Sequence, residues 1–212
     1  MIKAVVFDLF GTLTNGQANP EQRIIDDFKL DKSEAGFRYV EGVVCGTLHR
    51  SQEDYITCLI SCLRLPDNKE TRTRLQEIFR ADLENERLWP ETAIVLGQIK
   101  DRGLKLGLIS DLPSPDYDFI RQSGLEGFFD TRTLSFETGV LKPDKRVFYS
   151  TLGRLGVMPF EAVMVGNSIR SDIAPALEIG MEAILFDPQN RQRHYKGRRI
   201  KNIAGVLDYV VR

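Results

Sequence analysis

The stretch Ile2-Lys3-Ala4-Val5-Val6-Phe7-Asp8-Leu9-Phe10-Gly11-Thr12-Leu13-Thr14 passes from a β-branched and aromatic run into a carboxylate and then a glycine turn. A continuous apolar run of this kind reads as a strand covered on both faces, as in parallel sheets. Ligands of such sheets gather outside the carboxyl ends of the strands, and Asp8 stands at one of those ends. An acid in that position can also simply cap a turn, so the rest of the chain has to decide.

Working outward, residues 104–109, 162–165 and 183–186 form three similar runs, ending in Ser110-Asp111, Gly166-Asn167-Ser168 and Asp187-Pro188. Helical spacing lies between them. Alternating strands and helices imply right-handed crossovers and one parallel sheet with all strand ends on the same edge. Asp8, Ser110 and Asn167 should then meet. The expected fold class is therefore α/β, with a Rossmann-like parallel sheet core.

Residues 16–88 break the alternation. Their apolar positions recur every three or four residues: Ile24, Ile25 and Phe28; Phe37, Val40 and Val44; Tyr55, Ile56, Leu59, Ile60 and Leu63; Leu75, Ile78, Phe79 and Leu83. Ser51 with Asp54 resembles a capping box. The reading is an inserted α-helical domain at 16–88 and a core made of 1–15 and 89–212, with hinges around Asn15-Gly16 and Trp89-Pro90. Pro90 suits the first turn of a helix over 91–100.

With 212 residues, 42% hydrophobic, the chain has enough apolar material for a core and a smaller companion. Its 29 basic and 30 acidic residues give a formal charge of −1, so no global field favours nucleic acid or an anionic membrane. No run approaches the roughly 20 apolar residues of a membrane span, and the first residues enter a strand rather than a leader, so a cytoplasmic protein is expected. Cys45, Cys58 and Cys62 are an odd set without a paired motif, which argues against disulfides. Cys58 and Cys62 at i, i+4 beside His49 suit a metal less well than buried helical thiols. The basic run Arg191, Arg193, His194, Lys196, Arg198, Arg199 holds one aromatic, Tyr195, and reads as a solvated loop leading to a last helix from Asn202, not as a nucleic-acid site.

Four motifs in order resemble the haloacid dehalogenase-like hydrolase superfamily: Asp8 to Thr14, Ser110, Lys142 in Val140-Leu141-Lys142-Pro143-Asp144, and Gly166-Asn167 with Asp172. Alone, Ser110 reads as a turn residue, Lys142 as an exposed loop lysine and Asp172 as a helical surface acid; their joint order favours a site. The 16–88 segment resembles the C1 type of cap in that superfamily. The resemblance implies a hydrolase with Asp8 as nucleophile, most directly a phosphatase of small phosphorylated metabolites acting through an aspartyl-phosphate. It also implies Mg²⁺ held by Asp8, the Phe10 carbonyl, Asn167 and Asp172. Lys142 would neutralise charge, while Ser110, Asp111 and the amides near Gly11 and Thr12 would receive phosphate. The inner face of the cap, Arg38 to Thr47, would contact substrate. The expected assembly is a monomer or homodimer.

Two positions depart from that pattern. Family phosphatases carry an acid two residues after the nucleophile, where this chain has Phe10; general acid and base help is worth about 10²- to 10⁴-fold. Either Asp111, Glu137 or a cap residue substitutes, or phosphate-ester turnover is slow. Asn167 replaces an acid, which leaves two formal carboxylates for a metal. Both changes lean toward the metal-independent 2-haloacid dehalogenases, in which Asp8 would attack carbon and Arg38 would hold halide. Those enzymes, however, have a tyrosine where this chain has Phe148 and an asparagine where it has Ile169. A third reading is a non-catalytic relative that binds a phosphorylated metabolite or a protein.

Overall fold

The computed structural model describes residues 1–16, 19–114 and 117–210, apart from the side chains at 82, 85, 117 and 118. Five principal strands, β1 (Ala4–Phe7), β2 (Lys105–Ser110), β3 (Thr131–Leu134), β4 (Ala162–Gly166) and β5 (Glu182–Phe186), are joined by the short β6 (Arg199–Ile200). All pair in parallel, in the order β3-β2-β1-β4-β5-β6. This is the expected α/β class.

Side chains of β1 alternate between two layers of core, as the strand period of two requires. Val5 and Phe7 join Val95, Leu96 and Ile99 of α5 (Thr92–Asp101), together with Ile203 and Val206. Ala4 and Val6 join Val147, Phe148, Leu152 and Leu155 of the helix Lys145–Leu155. Both faces of β1 are closed to water, which explains its unbroken apolar run.

Two strands escaped the sequence reading. β3 is Thr-Arg-Thr-Leu, and only Thr133 and Leu134 are buried. β6 is two residues inside the basic segment that was expected to be loop throughout. Edge and near-edge strands bury less, so the apolar signal is diluted. Pro90 also lies ahead of its helix rather than in it, since α5 begins at Thr92, whose amide is held by the Trp89 carbonyl at 3.0 Å.

Four helices stand between β1 and β2: α1 (Pro20–Asp27), α2 (Glu34–Cys45), α3 (Gln52–Cys62) and α4 (Lys69–Asn85). Asn19, Ser33, Ser51 and Asn68 each accept an early amide of the helix they precede. The helices enclose their own apolar cluster around Ile24, Val40, Val44, Tyr55, Leu59 and Leu75. The two chain crossings that lead to them pair with each other. Thr14 and Leu88 form an antiparallel bridge, flanked by Asn15 N to Arg87 O at 2.8 Å and Trp89 N to Leu13 O at 3.1 Å. At its far end α2 is pinned to the core, where Ser135 Oγ, on the short helix Ser135–Thr138, donates to the Cys45 carbonyl at 2.7 Å. The three cysteines are free thiols, with Cys58 and Cys62 3.7 Å apart.

Candidate active site

Three strand ends and one loop converge on Lys142. Its Nζ donates to Asp8 Oδ1 at 2.6 Å and to Asp172 Oδ1 at 2.8 Å, and all three side chains are buried. Asp8 follows β1, and its other oxygen accepts from Thr12 Oγ1 at 2.8 Å. Asp172 sits in a wide π turn, Ile169–Ile173, and its Oδ2 accepts the Ser168 amide at 2.9 Å. Such turns recur at functional sites because they re-aim one side chain. Lys142 precedes a cis proline, Pro143, and its own amide is received by both oxygens of Asp111 at 3.2 and 3.1 Å.

Two glycines make this approach possible. A Cβ at Gly166 would collide with the Asp172 carboxylate, and one at Gly11, where φ is +73°, would collide with the Asn167 amide. Only a residue without a side chain allows either contact.

The electrostatics are unbalanced. Burial lifts Asp111 to about 7 and Asp172 to about 6, with the nearby Lys142 charge working against the rise in both. Burial pulls the Lys142 ammonium down, but Asp172, Asp8 and Asp111 outweigh it and the group is raised. One ammonium thus serves three carboxylates, a shortage of positive charge that a cation or a proton must make up.

The donor set suits a hard divalent cation. The Asp8 and Asp172 carboxylates and the Phe10 carbonyl are all oxygens, and such ions bind through one or two carboxylates plus water and substrate phosphate. No group of three or more acids, histidines or cysteines placed to hold a metal occurs among the described residues. Asn167 donates its Nδ2 to the Phe10 carbonyl at 3.1 Å; it would join the set only with its amide reversed.

Ser110 ends β2, 1% exposed, and its Oγ has no hydrogen-bond partner among the described residues. A buried hydroxyl without an acceptor is costly, so it marks where an oxygen-rich ligand belongs. The Gly11 and Thr12 amides differ from expectation: they donate to Thr14 Oγ1 at 3.0 Å and to the Leu9 carbonyl at 3.2 Å, which leaves the Thr12 hydroxyl as that loop's contact with Asp8. Arg38 is not brought to the centre. Half exposed, it pairs with Glu34 one turn earlier on its own helix at 2.9 Å, the ordinary i, i+4 partnership. Glu137 is exposed.

Sequence reading missed Glu41. It lies on α2 one turn before Cys45, whose carbonyl is pinned to the core. Burial raises its carboxyl, with Arg170, Lys142 and Arg38 opposing, and its charge in turn raises Asp111. The available signal was an acid set between Val40 and Val44 on an otherwise apolar stripe. Gln192 was missed too; its Nε2 holds the Asn167 carbonyl at 2.8 Å.

Residues 2–180 match the haloacid dehalogenase-like hydrolase family, and the chain belongs to it. A glyceraldehyde 3-phosphate phosphatase from Methanopyrus kandleri is 28% identical over all of this chain and 93% of its own length. A second, from Methanothermobacter thermautotrophicus, is 36% identical over 49% of this chain, and there the match spans only 46% of the relative, about half its length. The structure of a HAD phosphatase from Thermococcus onnurineus superposes with a TM-score of 0.67 at 25% identity, covering 99% of this chain and 98% of that one.

Proposed function

We propose that this protein is a Mg²⁺-dependent phosphatase of small phosphorylated metabolites that works through an aspartyl-phosphate on Asp8. The observation that carries the reading is the unpartnered, buried Ser110 hydroxyl at the strand edge that also bears the Asp8–Lys142 pair. A phosphoryl group brings three equatorial oxygens to such a donor, where a haloacid brings only the two of its carboxylate.

In this reading Asp8 attacks phosphorus, Thr12 Oγ1 orients its second oxygen, and Ser110 and Lys142 receive the charge that develops on the transferring group. A Mg²⁺ held by Asp8, Asp172 and the Phe10 carbonyl, with Asn167 beside it, would offset the repulsion between carboxylate and phosphate. Asp111, with both oxygens on the Lys142 amide, positions that lysine. Glu41 takes the acid and base role that Phe10 lacks, protonating the leaving oxygen and then activating water. Helices α1 to α4 act as a C1-type cap over the strand ends, and a monomer or homodimer in the cytoplasm is expected. The relatives that are named phosphatases support the phosphoryl reading.

With Arg38 paired to Glu34, the dehalogenase alternative draws on Phe10 and Asn167. Phe148 is fully buried in the core, and Tyr149 is 54% exposed, so neither offers a phenol to the site. The test is rapid quench with labelled acetyl phosphate and Mg²⁺. The wild type should form acid-stable label on the protein, and Asp8→Asn should form none while keeping its fold. Turnover of 2-chloropropionate without metal, and no phosphoryl transfer, would reverse the ranking.

A further inference from the structure

A cavity of about 420 Å³ adjoins the centre on the β4 and β5 side, with Phe10 and Asn167 forming its inner wall. Trp89 and Phe186, edge to face at 5.8 Å, form another wall. Arg191 and Gln192 lie on the segment that closes it. The size falls in the range of small-ligand sites. We propose that this cavity receives the non-reacting end of the substrate and that this end carries a second anionic group, carboxylate or phosphate, bound by Arg191. The inference rests on the phosphatase reading and narrows its substrate class.

The segment is built, not loose. Asp187, at the end of β5 and 5% exposed, accepts the amides of Arg191 at 2.8 Å and Gln192 at 3.0 Å, and Arg199 Nη1 lies 3.4 Å from it. Gln192 then reaches Asn167, so the Arg191 backbone is fixed relative to the phosphoryl centre through two side chains. The charge balance selects an anion. The Arg191 guanidinium has no hydrogen bond or ion pair among the described residues, whereas the acid in the lining, Asp187, is already satisfied. Glu86 packs behind Gly16 instead of lining the space. Trp89, in the same lining, has an indole Nε1 that is buried without a partner. A guanidinium with an indole N–H suits a planar or tetrahedral oxyanion and gives nothing to an apolar tail.

The test compares three esters of one size with Mg²⁺ present: 2-phosphoglycolate, ethylene glycol bisphosphate and the neutral 2-hydroxyethyl phosphate, with acetyl phosphate as reference. Wild type should prefer one or both anionic esters in kcat/KM. Arg191→Gln should lower that preference about tenfold or more, the size expected of a charge-assisted contact, and Trp89→Phe should lower it less. Arg193→Gln, outside the lining, should leave the preference intact. Loss confined to 2-phosphoglycolate identifies a carboxylate, and loss confined to the bisphosphate identifies a phosphate. No preference in wild type, equal loss on all three esters, or the same loss in Arg193→Gln overturns the subsite while hydrolysis stands. If wild type hydrolyses none of the four compounds, the phosphatase reading fails and the subsite falls with it.

Discussion

The side-chain amide of Asn167 donates to the main-chain carbonyl of Phe10 across 3.1 Å. The two positions at which this chain departs from the family pattern are thus in contact. An aromatic side chain at 10 turns away to Phe119, with ring centres 5.8 Å apart, and leaves its carbonyl to the amide.

Replacing Asn167 by Asp should turn that contact into a repulsion. Without metal the variant should lose about 1 to 2 kcal/mol, from a broken hydrogen bond and a carbonyl facing a carboxylate. Mg²⁺ should then raise its Tm more than it raises that of the wild type, because a third carboxylate has joined the oxygen set. Thermal melts with and without Mg²⁺ measure both, and equal metal shifts in the two proteins would count against a cation at Asp8 and Asp172.

Lys142→Met should be the most damaging single change at the centre. It leaves Asp8 and Asp172 buried and facing each other without a cation, and losing one partner of a buried ion pair costs about 3 to 5 kcal/mol. Urea unfolding at neutral pH gives the value. A loss below 1 kcal/mol would mean that the lysine contributes nothing to the folded state.

Asp111 and Asp172 predict an inverse pH dependence of stability. Burial holds their protons up to about 7 and about 6, against an ordinary value of 3.8. Between those limits the folded chain binds protons that the unfolded chain releases, so stability falls as pH rises from about 4 to 7 and then levels off. Asp111→Asn should shrink the drop in urea midpoint between pH 5 and pH 7.5. An undiminished drop in that variant would assign the effect elsewhere.

Glu41→Gln should cut phosphatase turnover by about 10²-fold. As the base of the second step, Glu41 must be ionised, and its carboxyl is raised by burial, so wild-type kcat should fall on the acid side above the usual glutamate range. The variant should lose that limb and accumulate aspartyl-phosphate. If the limb survives in Glu41→Gln and vanishes in Asp111→Asn, the base is Asp111.

The central strands were legible because burial on both faces leaves nothing but apolar residues, and the four insert stripes were legible from their period. β3 and β6 were not, since an edge strand needs only one covered side and Thr131 or Arg199 tolerates water. At the site, residues fixed by backbone geometry were visible: glycines, the strand-end acid, the lysine before a proline. Glu41 and Trp89 were hidden because their place depends on how the insert and the core meet, which local spacing does not encode. Arg38 shows the converse error, since a charged residue near the right position found a closer partner in Glu34.

The rungs from Asn15 to Arg87 and from Trp89 to Leu13 make the insert a cassette with one doorway. Two antiparallel segments that already face each other need only a two-residue turn to be joined. Residues 16–86 can therefore be replaced by Asn-Gly between Asn15 and Arg87, giving a bare sheet with Asp8, Lys142 and Asp172 open to solvent. A foreign helical bundle whose ends lie side by side could be spliced at the same doorway, and it would have to bring its own acid in place of Glu41, while Arg191 and Trp89 stay with the core.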